Sequence, residues 1–312
     1  MGKTAKKRGK EAFIDYYRSF FADEKQFDDF IKSLEIRTFP ILRFNPKNES
    51  ALKRVWKDAG LKWEVLSWYP HALKWPKDIP LGTELPGYKE HLFYPMNPSS
   101  LLPALALDVK SDDLILDACA APGGKALIVA ESLGKKGKLI ANDISGARRF
   151  RMKQIFSDYG FQSIELWGKK AEIIFKTNPN YFDRILVDAP CSSEKHVWNS
   201  KEHIKDWSPG RVRQLKQRQL ALLCGLFIAL KPGGRMVYST CAITPEENEE
   251  VVARLLNKKK DGIRLVALKT KAPVQSGMKG EWNELFESKK VNRIWPDKEY
   301  DPIFVAVFEK AD

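Results

Sequence analysis

The 312-residue sequence contains few cysteines, and they are widely spaced. The four are Cys119, Cys191, Cys224 and Cys241, and no two of them form a CxxC pair. A disulfide framework and a zinc site are therefore not expected, whereas a reducing compartment is. No apolar run is long enough to span a membrane, and the N-terminus lacks the apolar core of a secretory signal. We expect a cytoplasmic protein without a membrane or metal partner.

Two common nucleotide-binding fingerprints are also missing. The sequence has no GxGxxG, and a P-loop would need Gly in place of Cys119 and Ser or Thr in place of Ala126. What the chain has in excess is positive charge: 53 Lys and Arg stand against 40 Asp and Glu, a net charge of +13. Such an excess indicates a polyanionic partner, although charge alone does not distinguish this from a lysine-rich soluble protein.

The first third of the chain mixes helical and extended patterns. Residues 1–34 read as a basic tail with short amphipathic helices at 14–21 and 27–34. Residues 35–110 predict a small α+β domain with a strand at 37–45, a helix at 49–59 and an extended stretch at 61–68. Its tryptophans lie beside Lys and Arg, so they could stack bases, or they could simply form the domain's core.

Residues 111–312 change character, because apolar runs alternate with helix-length segments. This alternation is typical of a doubly wound α/β domain. A long helix is predicted at 210–230, and another should begin in a capping box at Thr244. The predicted strands are 114–118, 138–142, 163–167, 184–188, 235–239 and 303–308.

Several predicted strands end in residues suited to ligand binding. The first runs into the small-residue loop DACAAPGGK (117–125), where backbone can approach a ligand at a helix N-terminus. Asp143, after the second strand, is placed to bind ribose hydroxyls, or else caps the next helix. Cys191 and Cys241 follow two neighbouring strands, whereas Cys224 lies inside an amphipathic helix and is expected to be inert.

Three motifs in this order resemble those of the Nop/Sun (RsmB-like) RNA cytosine-5 methyltransferases. They are DACAAPGGK (117–125), DAPCSS (188–193) and YSTCAITPEENEEVV (238–252). The similarity runs from about residue 37 to the C-terminus, and it is greatest to the branch with the mitochondrial ribosomal enzyme and its bacterial relatives. It implies a Rossmann-like class I methyltransferase domain with a mostly parallel sheet, preceded by a smaller α+β RNA-binding domain. It also implies S-adenosylmethionine as the cofactor.

The resemblance implies catalytic roles that suit the chemistry of carbon 5. A thiolate that adds to carbon 6 of cytosine makes carbon 5 nucleophilic toward the methyl group, which is covalent catalysis. By family position Cys241 is that nucleophile and Cys191 promotes product release. Asp188 would hydrogen-bond the base near ring nitrogen 3, and Lys125 would lie between cofactor and base.

The resemblance also implies a cofactor site, with some departures from the family pattern. Trp167 stands where the family usually has an acidic residue that contacts the adenine, and Asn97 stands where Asp is common. Asp297 stands where His usually follows the motif RIWP (293–296). Adenine contact would then come from Trp167 or from the backbone of Gly168. The implied cofactor-binding residues are Cys119, Ala120, Ala121, Pro122, Gly123, Gly124, Lys125, Asp143, Arg148, Gly168 and Asp188.

The expected substrate is a structured RNA, ribosomal RNA first and transfer RNA second, with the target cytosine unpaired or flipped. We expect a monomer, with an accessory targeting protein as an open alternative, and surface positions for His196 and His203. Two rival functions remain at this stage. One is a DNA cytosine-5 methyltransferase that uses Cys191 as its nucleophile, and the other is a non-catalytic RNA-binding ribosome assembly factor.

Overall fold

The computed structural model describes residues 8–312, so most of the basic tail predicted from the sequence lies outside the described residues. Two helices come first: α1 (Lys10–Arg18) and α2 (Glu24–Glu35). Helix α2 begins where the side chain of Asp23 accepts a hydrogen bond from the backbone N–H of Gln26, 2.8 Å. The apolar faces of both helices form one core cluster with Trp207 and Ile243, far along the chain.

A small antiparallel sheet follows, in the order β2-β1-β3. It comprises β1 (Ile41–Arg43), β2 (Ala72–Lys74) and β3 (Tyr94–Met96), with helix α3 (Glu49–Asp58) between β1 and β2. The predicted helix is confirmed, but the predicted strand at 37–45 is wrong in extent, since only three residues pair. The extended stretch at 61–68 contributes a single bridge, Val65 to Leu73.

Helix α4 (Leu101–Ala106) connects this part to a nine-stranded sheet. The strands that alternate with helices agree with the predicted runs to within a few residues. The remaining elements are β4 (Leu114–Asp117), α5 (Gly124–Glu131), β5 (Lys138–Asn142), α6 (Gly146–Asp158), β6 (Glu165–Trp167), β7 (Phe182–Asp188), α7 (Glu194–Trp198), α8 (Lys201–Asp206), α9 (Pro209–Ala229), β8 (Leu230–Thr240), α10 (Glu249–Lys259), β9 (Ile263–Val266), β10 (Gln275–Ser276), β11 (Val291–Ile294) and β12 (Ile303–Lys310).

The large sheet has the strand order β10-β11-β12-β8-β7-β4-β5-β6, with β9 also paired to β12. Strands β6, β5, β4, β7 and β8 are mutually parallel, and the strands beyond β8 are antiparallel. This arrangement confirms the predicted Rossmann-like α/β fold. The chain leaves β4 toward β5 and later returns to β7 on its other side, and ligands of such sheets bind at that switch point.

The helix predicted to begin in a capping box at Thr244 is different in the structure. A 3-10 turn occupies Pro245–Glu247, and α10 begins only at Glu249. The hydroxyl of Thr244 accepts a hydrogen bond from the N–H of Glu246, 3.2 Å. The side chain of Glu247 does not reach back to the cap, because it is buried against Ser192. Within residues 8–312 we find no helix that is both long and apolar enough to cross a membrane.

Candidate active site

The centre of the site lies where β4 and β7 end side by side. Asp188, the last residue of β7, accepts a hydrogen bond from Lys125 on α5, with Nζ and Oδ2 2.7 Å apart. Its other carboxylate oxygen accepts one from Ser239 on β8, 2.8 Å. Burial alone would lower the pKa of Lys125, but the charge and hydrogen bond of Asp188 outweigh it and raise that pKa. Lys125 is therefore a fixed cation at the sheet's carboxyl edge.

Asp117 ends β4 beside this ion pair and is only 1% exposed. Neither of its carboxylate oxygens has a hydrogen bond of good geometry within residues 8–312, and the backbone N–H of Cys119 has only a small effect on its pKa. Burial and the charge of Asp188 raise the pKa of Asp117 to about 7. A buried carboxylate without a partner is unfavourable in a folded protein. Since Asp117 also lines a cavity, its position suits a cationic group of a ligand.

That cavity has a volume of about 240 Å³ and lies over the loop between β4 and α5. Tyr94 of the small sheet closes it from above, and a Cβ at Gly124 would come within 2.7 Å of the Tyr94 ring. Gly123 has a φ of 116° and faces Phe156, so it shapes the loop without lining the cavity. The predicted cofactor-binding residues that line it are Cys119, Ala120, Ala121, Pro122, Gly124, Lys125 and Asp188.

A smaller cavity of about 60 Å³ lies on the other side of Cys119. Its wall includes Asp143, which is 3% exposed and forms an ion pair with Arg148, Oδ2 to a guanidinium nitrogen 2.7 Å. The second oxygen of Asp143 accepts a hydrogen bond from the backbone N–H of Ser145, 2.9 Å. Helix α6 is capped by Ser145 and not by Asp143. The structure thus brings Asp143 and Arg148 together beside the predicted cofactor loop, with the exposed Ile144 between them.

Trp167 and Gly168, the predicted adenine contacts, directly precede Lys169 in the wall of this cavity, but neither of them lines it. The indole N–H of Trp167 donates to Glu165, 2.6 Å, and the ring packs against the core. The ammonium of Lys169 covers the same ring, 3.7 Å from its centroid. Gly168 lies under the guanidinium of Arg149, which a Cβ would approach to 2.7 Å. Trp167 is therefore a packing residue of the strand end.

Cys191 and Cys241 follow the parallel strands β7 and β8, and their sulfur atoms lie 3.1 Å apart. The hydroxyl oxygen of Ser193 lies 2.9 Å from the sulfur of Cys241. The hydrogen bond with Cys241, together with burial, raises the pKa of Cys191 well above its ordinary value. Cys191 is therefore a thiol, whereas Cys224 lies on α9 against the core, away from this pair.

Cys241 opens onto a cavity of about 530 Å³. Asp301 stands at its wall and joins three parts of the chain. One oxygen accepts hydrogen bonds from Thr38, 2.7 Å, and Lys195, 2.6 Å, and the other accepts one from Asn97, 2.6 Å. Asn97 suits this contact, because an Asp at position 97 would place a second carboxylate against Asp301.

Two glutamates are fully buried beneath the loop that carries Cys191. One oxygen of Glu247 accepts hydrogen bonds from the N–H of Ser192, 3.1 Å, and from Gln219, 2.7 Å. Glu194 accepts one from the hydroxyl of Tyr17 on α1, 2.7 Å. Burial and the nearby charge of Glu194 raise the pKa of Glu247 to about 8. Glu247 is therefore mostly protonated at neutral pH, and it supports the loop as a neutral group.

Sequence reasoning missed Asp117, Glu247 and Asp301 as site residues. Asp117 could have been predicted, since it is an acidic residue at the end of a parallel strand and begins the motif DACAAPGGK (117–125). The other two carried none, because their partners lie far away in the sequence. His196 and His203 are both exposed on short helices, as expected. In the described part of the chain, no group of three or more His, Cys, Asp or Glu side chains could hold a metal ion.

The parallel sheet, the ligand loop after β4 and the acid after β5 define a class I methyltransferase. A family model described as 16S rRNA methyltransferase RsmB/F matches residues 104–309. The chain belongs to this family, which confirms the resemblance seen in its motifs. Membership of a methyltransferase family agrees with S-adenosylmethionine as the cofactor.

Curated relatives are longer than this chain. Ribosomal RNA small subunit methyltransferase F of Aeromonas salmonicida is 30% identical over 300 residues, 89% of this chain and 61% of the relative. The protein of the same name from Klebsiella pneumoniae is 31% identical over 269 residues, 83% of this chain and 56% of that one. The chain thus spans about three fifths of the length of these relatives.

Solved structures share the whole described fold. A methyltransferase homologue from Pyrococcus horikoshii is 25% identical with a TM-score of 0.74, covering 96% of this chain and 99% of that one. NSun6 from Pyrococcus horikoshii, solved with the ligand abbreviated SFG, has a TM-score of 0.80 and covers 97% of this chain and 98% of its own. At 21% identity the second likeness shows the fold alone.

Proposed function

We propose that the protein transfers a methyl group from S-adenosylmethionine to carbon 5 of a cytosine in a structured RNA. Small-subunit ribosomal RNA is the favoured substrate, because the relatives carry that substrate in their names, and transfer RNA is second. The observation that carries the proposal is the pair of thiols of Cys191 and Cys241, 3.1 Å apart beside the Lys125–Asp188 ion pair.

The residues around the β4 loop fit the cofactor. S-adenosylmethionine, when bound, supplies an electrophilic methyl group on a sulfonium. The partnerless carboxylate of Asp117 suits the ammonium of its amino-acid part, and the buried acid Asp143 suits its ribose hydroxyls. The loop 119–125 offers close backbone approach at the N-terminus of α5.

The residues around the cysteines fit addition to a cytosine. The thiolate of Cys241 bonds to carbon 6, and the ring's electron density moves to carbon 5, which then takes the methyl group. Asp188 holds the base edge near ring nitrogen 3. Lys125, a cation close by, favours the thiolate electrostatically. The base must leave its stack to reach Cys241 at the wall of the 530 Å³ cavity.

Cys191 suits the second half of the reaction. Water takes the proton from carbon 5, and the electron pair of that C–H bond re-forms the double bond between carbons 5 and 6. The bond between Cys241 and carbon 6 then breaks and returns the thiolate of Cys241, to which the thiol of Cys191 can donate a hydrogen bond. Cys191 contacts Cys241 directly and is held by the loop above Glu247, so it is placed to assist this elimination.

We assign residues 35–110 as an RNA-binding domain, residues 111–312 as the methyltransferase domain, and residues 1–34 as a basic tail with two helices. The protein acts as a monomer in the cytoplasm, with or without a targeting partner. The methyltransferase assignment agrees with the matched family model, which begins at residue 104. The RNA-binding assignment is supported by the exposed Lys77, which follows β2 of the small sheet.

The test is bisulfite sequencing of total RNA from cells with and without the gene. A cytosine should lose protection on deletion and regain it with the wild type and with Cys224→Ala, but not with Cys241→Ala. Cys224 is the matched control because it is a partly buried cysteine away from the site. Absence of any changed cytosine in cells that express the protein would overturn the proposal and favour an assembly factor.

A further inference from the structure

A second cavity lies beside the one that contains Cys241. It has a volume of about 400 Å³, within the range of small-molecule sites. We call it the aromatic cup, since it is lined by Phe39, Trp75 and Tyr300 together with smaller apolar side chains. Phe39 is 46% exposed at its edge, whereas Trp75 and Tyr300 are almost buried. The cup therefore presents aromatic surface that the core does not cover.

The rings of the cup are fixed before any ligand arrives. The indole N–H of Trp75 donates to the carbonyl of Ile79, 2.7 Å. The hydroxyl of Tyr300 accepts a hydrogen bond from the indole of Trp68, 3.0 Å. Because the polar ends of these side chains already have partners, the two rings form a fixed floor, and the exposed Phe39 supplies the face on which a base can stack. Such preorganisation reduces the entropy lost when a flat ligand stacks there.

The rim of the cup is basic. Lys74, Lys77 and Lys298 line it, against one acid, Glu299. Lys74 forms ion pairs with Glu64, 2.7 Å, and Glu299, 3.5 Å, so its charge is partly balanced. Within residues 8–312 no ion pair is found for Lys298. Lys77 is 87% exposed, and its ion pair with Glu64 is long, 3.9 Å, so its ammonium remains open to solvent. Two lysines are thus available for phosphates around an aromatic floor.

The cup adjoins the cavity at Cys241, since the same two segments of the chain line both. Residues 36–38 line the cysteine cavity and residues 39–41 line the cup. In the same way residues 301–302 line the first and residues 298–300 line the second. The hydrogen bond from Thr38 to Asp301, 2.7 Å, ties these two segments together as a ridge between the cavities. A single chain that crosses the ridge would reach both.

We infer that the aromatic cup binds an unpaired nucleotide of the substrate RNA, near in sequence to the target cytosine. The base stacks in the cup while Lys77 and Lys298 hold adjoining phosphates. This inference rests on the proposed function, because it takes the RNA at Cys241 as the ligand. A neighbouring base held in this way would draw the target out of a helix and select single-stranded or looped RNA.

The test measures binding, so that it does not depend on methyl transfer. All proteins in this test carry Cys241→Ala. The first probe is a fluorescein-labelled oligocytidylate of 12 nucleotides. The second probe has the same length and label, but only its central residue is a cytidine and the others are abasic riboses. We expect the protein to bind the first more tightly, by about tenfold or more, as stacking of one base would give. Phe39→Ala should remove most of that preference with little effect on the abasic probe.

Tyr181→Ala is the matched control. Tyr181 is 43% exposed and directly precedes β7, so it lies at the amino-terminal end of the parallel strands, away from their carboxyl ends. It should leave the preference intact. Lys298→Ala should lower the affinity for both probes equally and reduce the salt dependence of binding. If Phe39→Ala keeps the full preference while RNA still binds, the cup is not a nucleotide site, although the proposed function survives. If neither probe binds at any salt concentration, both proposals fail.

Discussion

Lys125 donates a hydrogen bond to Asp188 across the carboxyl ends of β4 and β7, with Nζ and Oδ2 2.7 Å apart. This contact joins the cofactor loop to the strand that leads to Cys191. Neither residue is fully covered, since their side chains are 16% and 32% exposed. Both residues line the 240 Å³ cavity, and Cys241 is close enough to act on the charge of Lys125, so the pair connects the predicted cofactor site with the cysteines.

Replacement of Lys125 by Met should keep the shape of the site but remove its cation. We expect kcat to fall by roughly 10²–10³-fold, as when a preorganised electrostatic group is lost. Lys216→Met is the control, because Lys216 is 13% exposed and bonds Glu246 and Glu250 away from the cysteines. Single-turnover methylation of the RNA found by bisulfite sequencing measures the effect. An equal loss of kcat in both variants would contradict an electrostatic role of Lys125 in catalysis.

Asp117 should make cofactor binding depend on pH. Its pKa of about 7 means that raising the pH from 6 to 8 converts most of the carboxyl to the anion that an ammonium requires. Affinity for S-adenosylmethionine should then increase by about tenfold over that range. In Asp117→Asn the affinity should be weaker and nearly constant with pH. Isothermal titration calorimetry at three pH values checks this, and a parallel rise in the variant would contradict it.

Glu247 should make the fold less stable as the pH rises. Its pKa is raised from the ordinary value of 4.5 to about 8, so the folded state keeps a proton that the unfolded state releases. The stabilisation is complete below about pH 4.5 and is lost as the pH rises through 8, by at most about 1.4 kcal/mol per pH unit. Glu247→Gln should flatten this slope.

Urea unfolding at pH 6, 7 and 8 measures the slope for Glu247→Gln. Glu284→Gln provides a comparison at an exposed glutamate and should follow the wild type. The assignment of a neutral Glu247 would be wrong if all three proteins lost stability in parallel.

The ion pair between Arg293 and Glu249 should contribute to stability because it is enclosed. The two side chains are 3% and 0% exposed, and Nε of Arg293 lies 2.7 Å from an oxygen of Glu249. Arg293→Met leaves the buried carboxylate of Glu249 without its counter-charge and with only the N–H of Met278, 2.9 Å, as a donor. We expect a loss of about 3–5 kcal/mol in the free energy of unfolding. Arg264 is 71% exposed and forms an ion pair with Glu309, which is 24% exposed, so Arg264→Met should lose less than about 1 kcal/mol. Similar losses of unfolding free energy at both positions would show that burial does not determine how much the ion pair contributes.

The sequence predicted the large sheet well because its central strands are continuous apolar runs that end in polar residues. Parallel strands place their carboxyl ends at one edge, so the proximity of Cys191 and Cys241 followed from the pattern. The ion pair between Lys125 and Asp188 was not predicted, because the resemblance gave the two residues separate roles. The small sheet was less predictable. Its three-residue strands are too short for periodicity, and they are held by partners elsewhere in the chain.

The contacts that sequence reasoning could not provide are those made at long range. Asp301 gathers hydrogen bonds from residues that precede it by 106 to 263 positions. Glu247 turns inward because Ser192 and Gln219 offer buried donors, which a local capping rule does not include. Trp75 is 9% exposed and Trp63 38%, and only the tertiary structure separates a core tryptophan from one at the surface.

The most direct test of the account is covalent trapping by RNA that carries 5-fluorocytidine. Fluorine at carbon 5 cannot leave as a proton, so the adduct between enzyme and RNA persists after methyl transfer and migrates slowly on a denaturing gel. We predict an adduct with the wild type and none with Cys241→Ala. With ordinary RNA, Cys191→Ala should accumulate an adduct that the wild type releases. An adduct that persists in Cys241→Ala and disappears in Cys191→Ala would contradict the account and make Cys191 the nucleophile.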